Sequence, residues 1–466
     1  MTLRFARAAA VLPAAALALL PLARTPLAAQ AWADRFSATP YRDAANRLID
    51  AALADSAAYA RLTELGDRFG HRLSGSASLE RALDWILEEM EADGLENVRG
   101  EPVLVPHWVR GEESARMIVP FERDLPMLGL GGSIGTPKGG IRAQVMVVES
   151  FEELERRADE AKGRIVLFAP EWVDYGTTGA YRRQGAIAAG RAGAVASLIR
   201  SVTPYSQQTP HTGNMQYADG VPRIPHAALT VEDAELIKRM VRRGERVEVH
   251  LEMDAQTLPD TWSRNVVAEI RGRELPDEVI VLGGHIDSWD VGQGMMDDGG
   301  GSVAAWEAVR LMKALDLRPR RTVRVVLWTN EENGTRGGNG YRDAHMDELD
   351  DHILAMESDG GVFKPEGFGF TGSDAAFSVL QEVGSLLDRI EAGAVTRGGG
   401  GADIAPIMAL GVPGMGLNVD GTRYFWYHHT DADTIDKLDP HEVALCVAAM
   451  AVHAYVVAEM PERLPR

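Results

Sequence analysis

The chain has 466 residues, 45% hydrophobic and 25% charged, with 48 lysines and arginines against 68 aspartates and glutamates and a formal charge of −20. This composition excludes a disordered or fibrous protein, and the acidic balance excludes a phosphate-tracking groove, because nucleic-acid binders concentrate basic charge on a face. One cysteine, Cys446, excludes an intrachain disulfide, and a chain long enough for roughly two or three domains builds a sufficient core without one.

Arg4 and Arg7 precede a small-apolar run from Ala8 to Ala23, followed by Ala29-Gln30-Ala31. That is the layout of a secretory signal peptide over residues 1–31, cleaved after Ala31. Pro13 and Pro21 break the run, which falls short of the roughly 20 residues that span a membrane. Removing the leader takes out Arg4, Arg7 and Arg24 and no acid, moving the formal charge from −20 to −23. The expectation is an exported, acidic protein with no membrane association after cleavage. Heavy use of Ala, Gly and Arg hints at a GC-rich bacterial coding sequence, hence the periplasm or the medium, and makes the Asn333-Gly334-Thr335 sequon a chance occurrence.

From Tyr41 to Glu96 apolar residues recur every three or four positions, predicting two helices divided at Gly70 and the Leu73-Ser74-Gly75-Ser76 stretch. Val98 to Val119 alternates as strands do. A glycine-rich passage from Pro126 to Gly140 marks a boundary, and residues 121–257 read as a separate α/β module. Its strands are Val145 to Val148, Arg164 to Phe168 and Ala196 to Ile199, with an Ala/Gly-rich helix from Gly185 to Val195. His211 and His226 stand alone there and are expected to be solvated or hydrogen-bonded, not ligands.

Beyond residue 258 strands and helices alternate: Val279 to Gly283, the helix Ser302 to Leu315, Thr322 to Trp328, Ile353 to Met356 and Val412 to Val419. A long apolar helix from Val443 to Ala458 closes the series, opened by Asp439 as cap and Pro440 in the first turn. It reads as packed core. This alternation predicts an α/β fold, a mixed, mostly parallel sheet covered by helices.

Working residues of such sheets collect at strand carboxyl ends. Each of these four strands is followed at once by acids or histidines: His285 and Asp287 with Asp297-Asp298; Glu331-Glu332; Glu357 and Asp359; and His428-His429 with Asp431 and Asp433. Carboxylate and imidazole without thiolate suit zinc in a hydrolytic role, and two neighbouring ions need an anionic bridge to screen their repulsion. Adjacent residues leaving a strand point apart, so one of Glu331 and Glu332 can bind metal while the other faces water.

The stretches GGHIDSWDVGQGMMDDGGGS, RTVRVVLWTNEENG, MESDGG and YFWYHHTDADT carry a resemblance to the di-zinc exopeptidases of the bacterial leucyl aminopeptidase type. Weaker likeness in PHWVRGEESA, GGSIGTPKGG, SLIRSVTPYS and DGVPRIPHAALTVEDAE extends it over essentially all of the chain after the leader. The resemblance implies a zinc-exopeptidase domain built from residues 32–120 and 258–466, with 121–257 as an inserted protease-associated-type domain. It implies two zinc ions, one held by His285 and Asp359, the other by Glu332 and His429, with Asp297 bridging. Glu331 becomes the general base, and Asp287 orients His285. It further implies a cis peptide at Asp297-Asp298, peptide substrates with a free amino terminus, dipeptides in particular, and a homodimer. The group's Ser-Asp-His element stands here as Ala402-Asp403-Ile404, which leaves Asp403 without a role, and Tyr424 to Tyr427 read equally as core or as cleft wall. A ligand-less receptor ectodomain conflicts with the full set of candidate ligands. A relative that keeps the metal but changes the reaction, a glutaminyl cyclase or an aminoacyl-amide hydrolase, is discriminated by zinc stoichiometry, since related cyclases use a single metal.

Overall fold

The computed structural model describes residues 26–466. The expected leader lies outside the described residues except for its end, and the expected cleavage point after Ala31 falls within a first helix, Pro26–Ala33.

Four apolar strands form the parallel centre of an eight-stranded sheet, in the spatial order Arg321–Trp328, Leu275–His285, His352–Glu357, Gly414–Val419. Every residue of Arg321–Trp328 is buried, as befits a parallel strand covered on both faces. Alternate side chains go to opposite layers. Ile280, Leu282, Val323 and Val325 join the core under the helices, while Val279, Val281, Val326 and Trp328 face a second cluster with Tyr341, Ile404 and Val412. Glu96–Val109 and Gln256–Ile270 extend one side antiparallel. Pro365–Thr371 and Ala394–Arg397 extend the other.

The helix Pro440–Glu459 runs through the larger core. Asp439 accepts the His441 N–H at 2.7 Å, and every side chain from Val443 to Ala458 is buried. Among the described residues it is the helix with the length and apolarity to cross a membrane, yet 89% of its most apolar window is buried inside the protein. It is therefore a core helix. Cys446 lies within it, its thiol 3.2 Å from the Phe363 carbonyl and its pKa pushed up by burial.

A second eight-stranded sheet is built between the first sheet's Glu96–Val109 and Gln256–Ile270, in the order Arg123–Leu125, Glu113–Val119, Glu248–Met253, Ile141–Val148, Ile165–Phe168, Ala196–Arg200, His226–Leu229, Met127–Gly129. The chain passes into it at residues 110–112 and back at 254–255. The first passage precedes the expected 121, because Glu113–Val119 pairs with Glu248–Met253 across the module's own edge.

Two helical expectations are corrected. The amino-terminal region forms three helices, Arg42–Ala54, Ala57–Phe69 and Ala77–Ala92. Asp55 breaks the first two by accepting the Ala57 N–H at 2.8 Å, a local bond that competes with the helix. The helix expected at Gly185 begins at Tyr175, where Asp174 accepts the Thr177 N–H at 2.7 Å.

Candidate metal centre

The central strands deliver their following loops to one edge of the sheet. His285 ends its strand; Glu331 and Glu332 follow Trp328, Asp359 follows Glu357, and His429 lies beyond the short helix Tyr424–Tyr427. Asp297 sits in the turn Met295–Gly299, and the Asp297-Asp298 peptide is cis.

Asp297 stands between two pairs. Its Oδ1 lies 3.2 Å from His285 Nε2, which is 3.3 Å from Asp359 Oδ1. Its Oδ2 lies 3.2 Å from His429 Nε2, which is 3.0 Å from Glu332 Oε2. The ligand atoms of His285, Asp297 and Asp359, and likewise those of Asp297, His428 and His429, fall within 4.8 Å of one another. His428 and His429 stack at 3.6 Å, but His428 Nε2 is 3.6 Å from Asp297, and the Glu332 contact belongs to His429. Asp298 turns inward, accepting the N–H groups of His285 and Gly301 at 3.0 Å each. Gly284 makes room for it, since a Cβ there would lie 2.3 Å from Asp298 Oδ2.

Asp287 differs in detail from expectation. His285 Nδ1 is 2.9 Å from the carbonyl oxygen of Asp287 and 3.7 Å from its carboxylate. The carboxylate accepts the Glu331 N–H at 3.0 Å and the Ser74 hydroxyl at 3.3 Å. One residue therefore orients both the imidazole and the neighbouring glutamate.

Asp433, named in the sequence only as one of the acids after the fourth strand, and two residues that the sequence did not single out hold this edge in shape. Asp433 accepts three consecutive amides, from Met295, Met296 and Asp297, at 3.0, 2.7 and 3.1 Å. Burial pushes its carboxyl up to about 7. Arg72, fully buried, donates to the carbonyls of Gly70, Ile286, Gln293 and Gly294. From the second sheet's module, the Thr212 N–H donates to the His429 carbonyl at 3.0 Å and the Thr212 carbonyl lies 3.3 Å from His429 Nδ1. None of these contacts has a local sequence signature.

The electrostatics call for cations. Burial pushes the Glu331 carboxyl well above the ordinary range; His285 opposes the shift, and Asp359, Glu332 and Asp287 add to it. Burial and Asp297 bring Glu332 up to about 7. Burial would lower His285 and His429, but the surrounding carboxylates hold both imidazoles well above their usual value. Asp297 Oδ2 is buried with no hydrogen-bond partner among the described residues. Oxygen and nitrogen donors converging on a buried carboxylate, one of whose oxygens forms no hydrogen bond, fit divalent metal ions.

His211 and His226 are both buried and not solvated. His226 lies near the carbonyls of Ser197 and Tyr181, whereas among the described residues no hydrogen bond to a ring nitrogen of His211 is formed. Asp403 is buried, both its carboxylate oxygens without a hydrogen-bond partner among the described residues, its backbone N–H and that of Ile404 donating to Glu357. Tyr424 packs against His428 at 4.8 Å and Trp426 is 43% exposed, so the aromatic run serves both as packing and as surface.

A donor set of this kind at the strand ends of a parallel sheet belongs to metal-dependent hydrolases, and comparison with known proteins narrows the class to the metallopeptidases. The family model for peptidase family M28 matches residues 265–454. Carboxypeptidase Q of Mus musculus is 49% identical over 429 residues, covering 91% of each chain. The crystal structure of a peptidase M28 precursor from Shewanella amazonensis superposes with a TM-score of 0.88 at 35% identity, over 92% of this chain and 99% of that one. A zinc aminopeptidase from Bacillus subtilis shares the fold at a TM-score of 0.65 and 20% identity, over 87% of this chain and 96% of that one. The chain belongs to peptidase family M28, as a carboxypeptidase Q-like member.

Proposed function

We propose that this metallopeptidase is an exported, di-zinc exopeptidase that hydrolyses dipeptides and short peptides with a free amino terminus. The observation that carries this reading is Asp297, whose two oxygens each face a separate imidazole–carboxylate pair. His285 and Asp359 would hold one ion, His429 and Glu332 the other, and Asp297 both. The names of the relatives, carboxypeptidase and zinc aminopeptidase, support an exopeptidase that uses zinc.

Bound there, zinc acts as a Lewis acid toward a peptide carbonyl and makes water more acidic. The protein does the rest. Glu331, partly buried at the same edge, accepts a proton from the attacking water and passes it to the departing amine nitrogen. Asp287 fixes the Glu331 backbone through its amide. The homodimer implied by resemblance belongs to the same reading.

The test is release of amino acids from a dipeptide panel, with N-acetylated forms, before and after chelation and zinc restoration. Turnover that needs zinc and is blocked by acetylation supports the reading. Turnover that survives complete metal removal overturns it.

A further inference from the structure

The two candidate metal-binding imidazoles are held from different parts of the molecule. An imidazole that gives one nitrogen's lone pair to a metal carries its proton on the other nitrogen, and the acceptor of that proton fixes the ring. For His285 the acceptor is local: its Nδ1 lies 2.9 Å from the Asp287 carbonyl, two residues on. For His429 it comes from the second sheet's module. The Thr212 carbonyl lies 3.3 Å from His429 Nδ1, while the Thr212 N–H donates to the His429 carbonyl at 3.0 Å. This brace meets a backbone that needs one, because His429 takes a φ of +61°, in the left-handed region that residues with a side chain seldom adopt.

Thr212 is itself fixed at the junction of the two sheets' modules, fully buried. Its hydroxyl donates to the Gly129 carbonyl at 2.8 Å and accepts from Arg110 Nη2 at 3.3 Å. Arg110 lies at the passage between the modules, and its Nε donates to Asp290, in the first sheet's module, at 2.9 Å. A second contact runs alongside. Gly131 approaches Trp289 so closely that a Cβ there would lie 2.0 Å from the indole Cη2. The Trp289 ring meets His429 edge-on at 5.7 Å, and the Trp289 backbone N–H donates to Glu332 Oε1 at 3.2 Å. Together these contacts reach His429 and Glu332. The partners of His285, by contrast, are Asp287, Asp297, Asp298 and Ser302, all in the first sheet's module.

We propose that Thr212 is a positioning residue for His429, so that the seating of the second module sets the metal affinity of the His429–Glu332 pair and leaves the His285–Asp359 pair to the first module alone. This rests on the two-ion reading above and adds to it a difference between the ions. With the module seated, the Nδ1–H of His429 is held on the Thr212 carbonyl, and Nε2 faces Asp297 and Glu332. With the module displaced, the ring loses its acceptor and the left-handed backbone its brace, so Nε2 is no longer aimed. The bracing carbonyl is a main-chain atom. It is therefore displaced through what holds Thr212 in place: the hydroxyl tied to Gly129 and Arg110, and the close seat of Gly131 on Trp289.

The experiment measures zinc stoichiometry and the dissociation constant of each ion, by titrating the metal-free full chain against a competing chromophoric chelator. Wild type, Thr212→Val, Thr212→Ser and Gly131→Ala are compared. Thr212→Val should weaken one ion about 10- to 100-fold and leave the other within about twofold, as for a site that shares no contact with the change. Thr212→Ser, which keeps the hydroxyl, should restore most of the loss, and Gly131→Ala, which wedges the module off Trp289, should reproduce it. Combination with His285→Ala and with His429→Ala identifies the ion: the loss should persist in the first and vanish in the second. Equal weakening of both ions, or of neither, overturns the positioning role, because a general loosening of the fold does not choose between them. Loss confined to the His285 ion overturns it too. Should Thr212→Val fail to fold, the same comparison with Gly131→Ala decides. Wild type that binds one ion removes the two-ion reading and this role with it, whereas two ions indifferent to both substitutions remove the role alone.

Discussion

At the scale of single residues, three adjacent like pairs are divided by direction. Asp297 faces the cleft and Asp298 turns inward to the Gly301 and His285 amides; Glu332 meets His429 while Glu331 stands apart from it; His429 reaches Glu332 while His428 stacks behind it. Substitutions within a pair therefore separate metal binding from turnover. Glu331→Gln should keep zinc at the wild-type level, by elemental analysis, and lose about 10²- to 10⁴-fold in kcat; retained turnover would remove Glu331 from the proton shuttle. His429→Ala should lower bound zinc more than His428→Ala does. The opposite order would exchange the two imidazoles' roles. The pairs themselves were legible in the sequence. Which member faces inward was legible only through family resemblance, because direction depends on backbone dihedrals that the residue types alone do not impose.

At the scale of elements, the site depends on a loop pinned from a distance. Asp433 holds the Met295–Asp297 backbone across as many as 138 residues of chain. Asp433→Ala should weaken zinc retention about 10- to 100-fold in chelator competition, as loss of a supporting contact commonly does. Unchanged retention would show that the turn holds its shape unaided. Asp439 acts locally, within two residues of the amide it caps. Asp439→Ala should cost about 1 kcal/mol in denaturant unfolding. The Asp439 cap could be read from the sequence because cap and helix are contiguous. The Asp433 contact could not, because a three-amide acceptor looks like any other loop aspartate until the fold brings it into place.

At the scale of the whole molecule, stability should depend on pH through histidines remote from the metal centre. His226 in the second sheet and His453 in the core helix are fully buried, and burial pushes each down to about 4. Folded, both stay neutral where the unfolded chain, at about 6.5, takes up protons. Their neutral form thus costs nothing above pH 6.5, and stability falls as pH drops from about 6.5 to about 4, by on the order of 3 kcal/mol for each. Thermal melting across that window checks this; a flat profile would contradict it. Chelation should lower the melting temperature as well, since ions that bind only the folded state stabilise it by mass action.

The sequence by itself determined the class of fold and the neighbourhood of the site. Strand runs, helix periodicity and acids placed directly after strands are local patterns, and the four strands it predicted are the parallel centre of the sheet. The tertiary structure decided which loop atoms meet: the two sides of Asp297, the Asp433 clamp, and Thr212 arriving from the second sheet's module. Those contacts join residues from 12 to 217 positions apart, and they follow from strand order and loop path, which the chain adopts only once both sheets are packed.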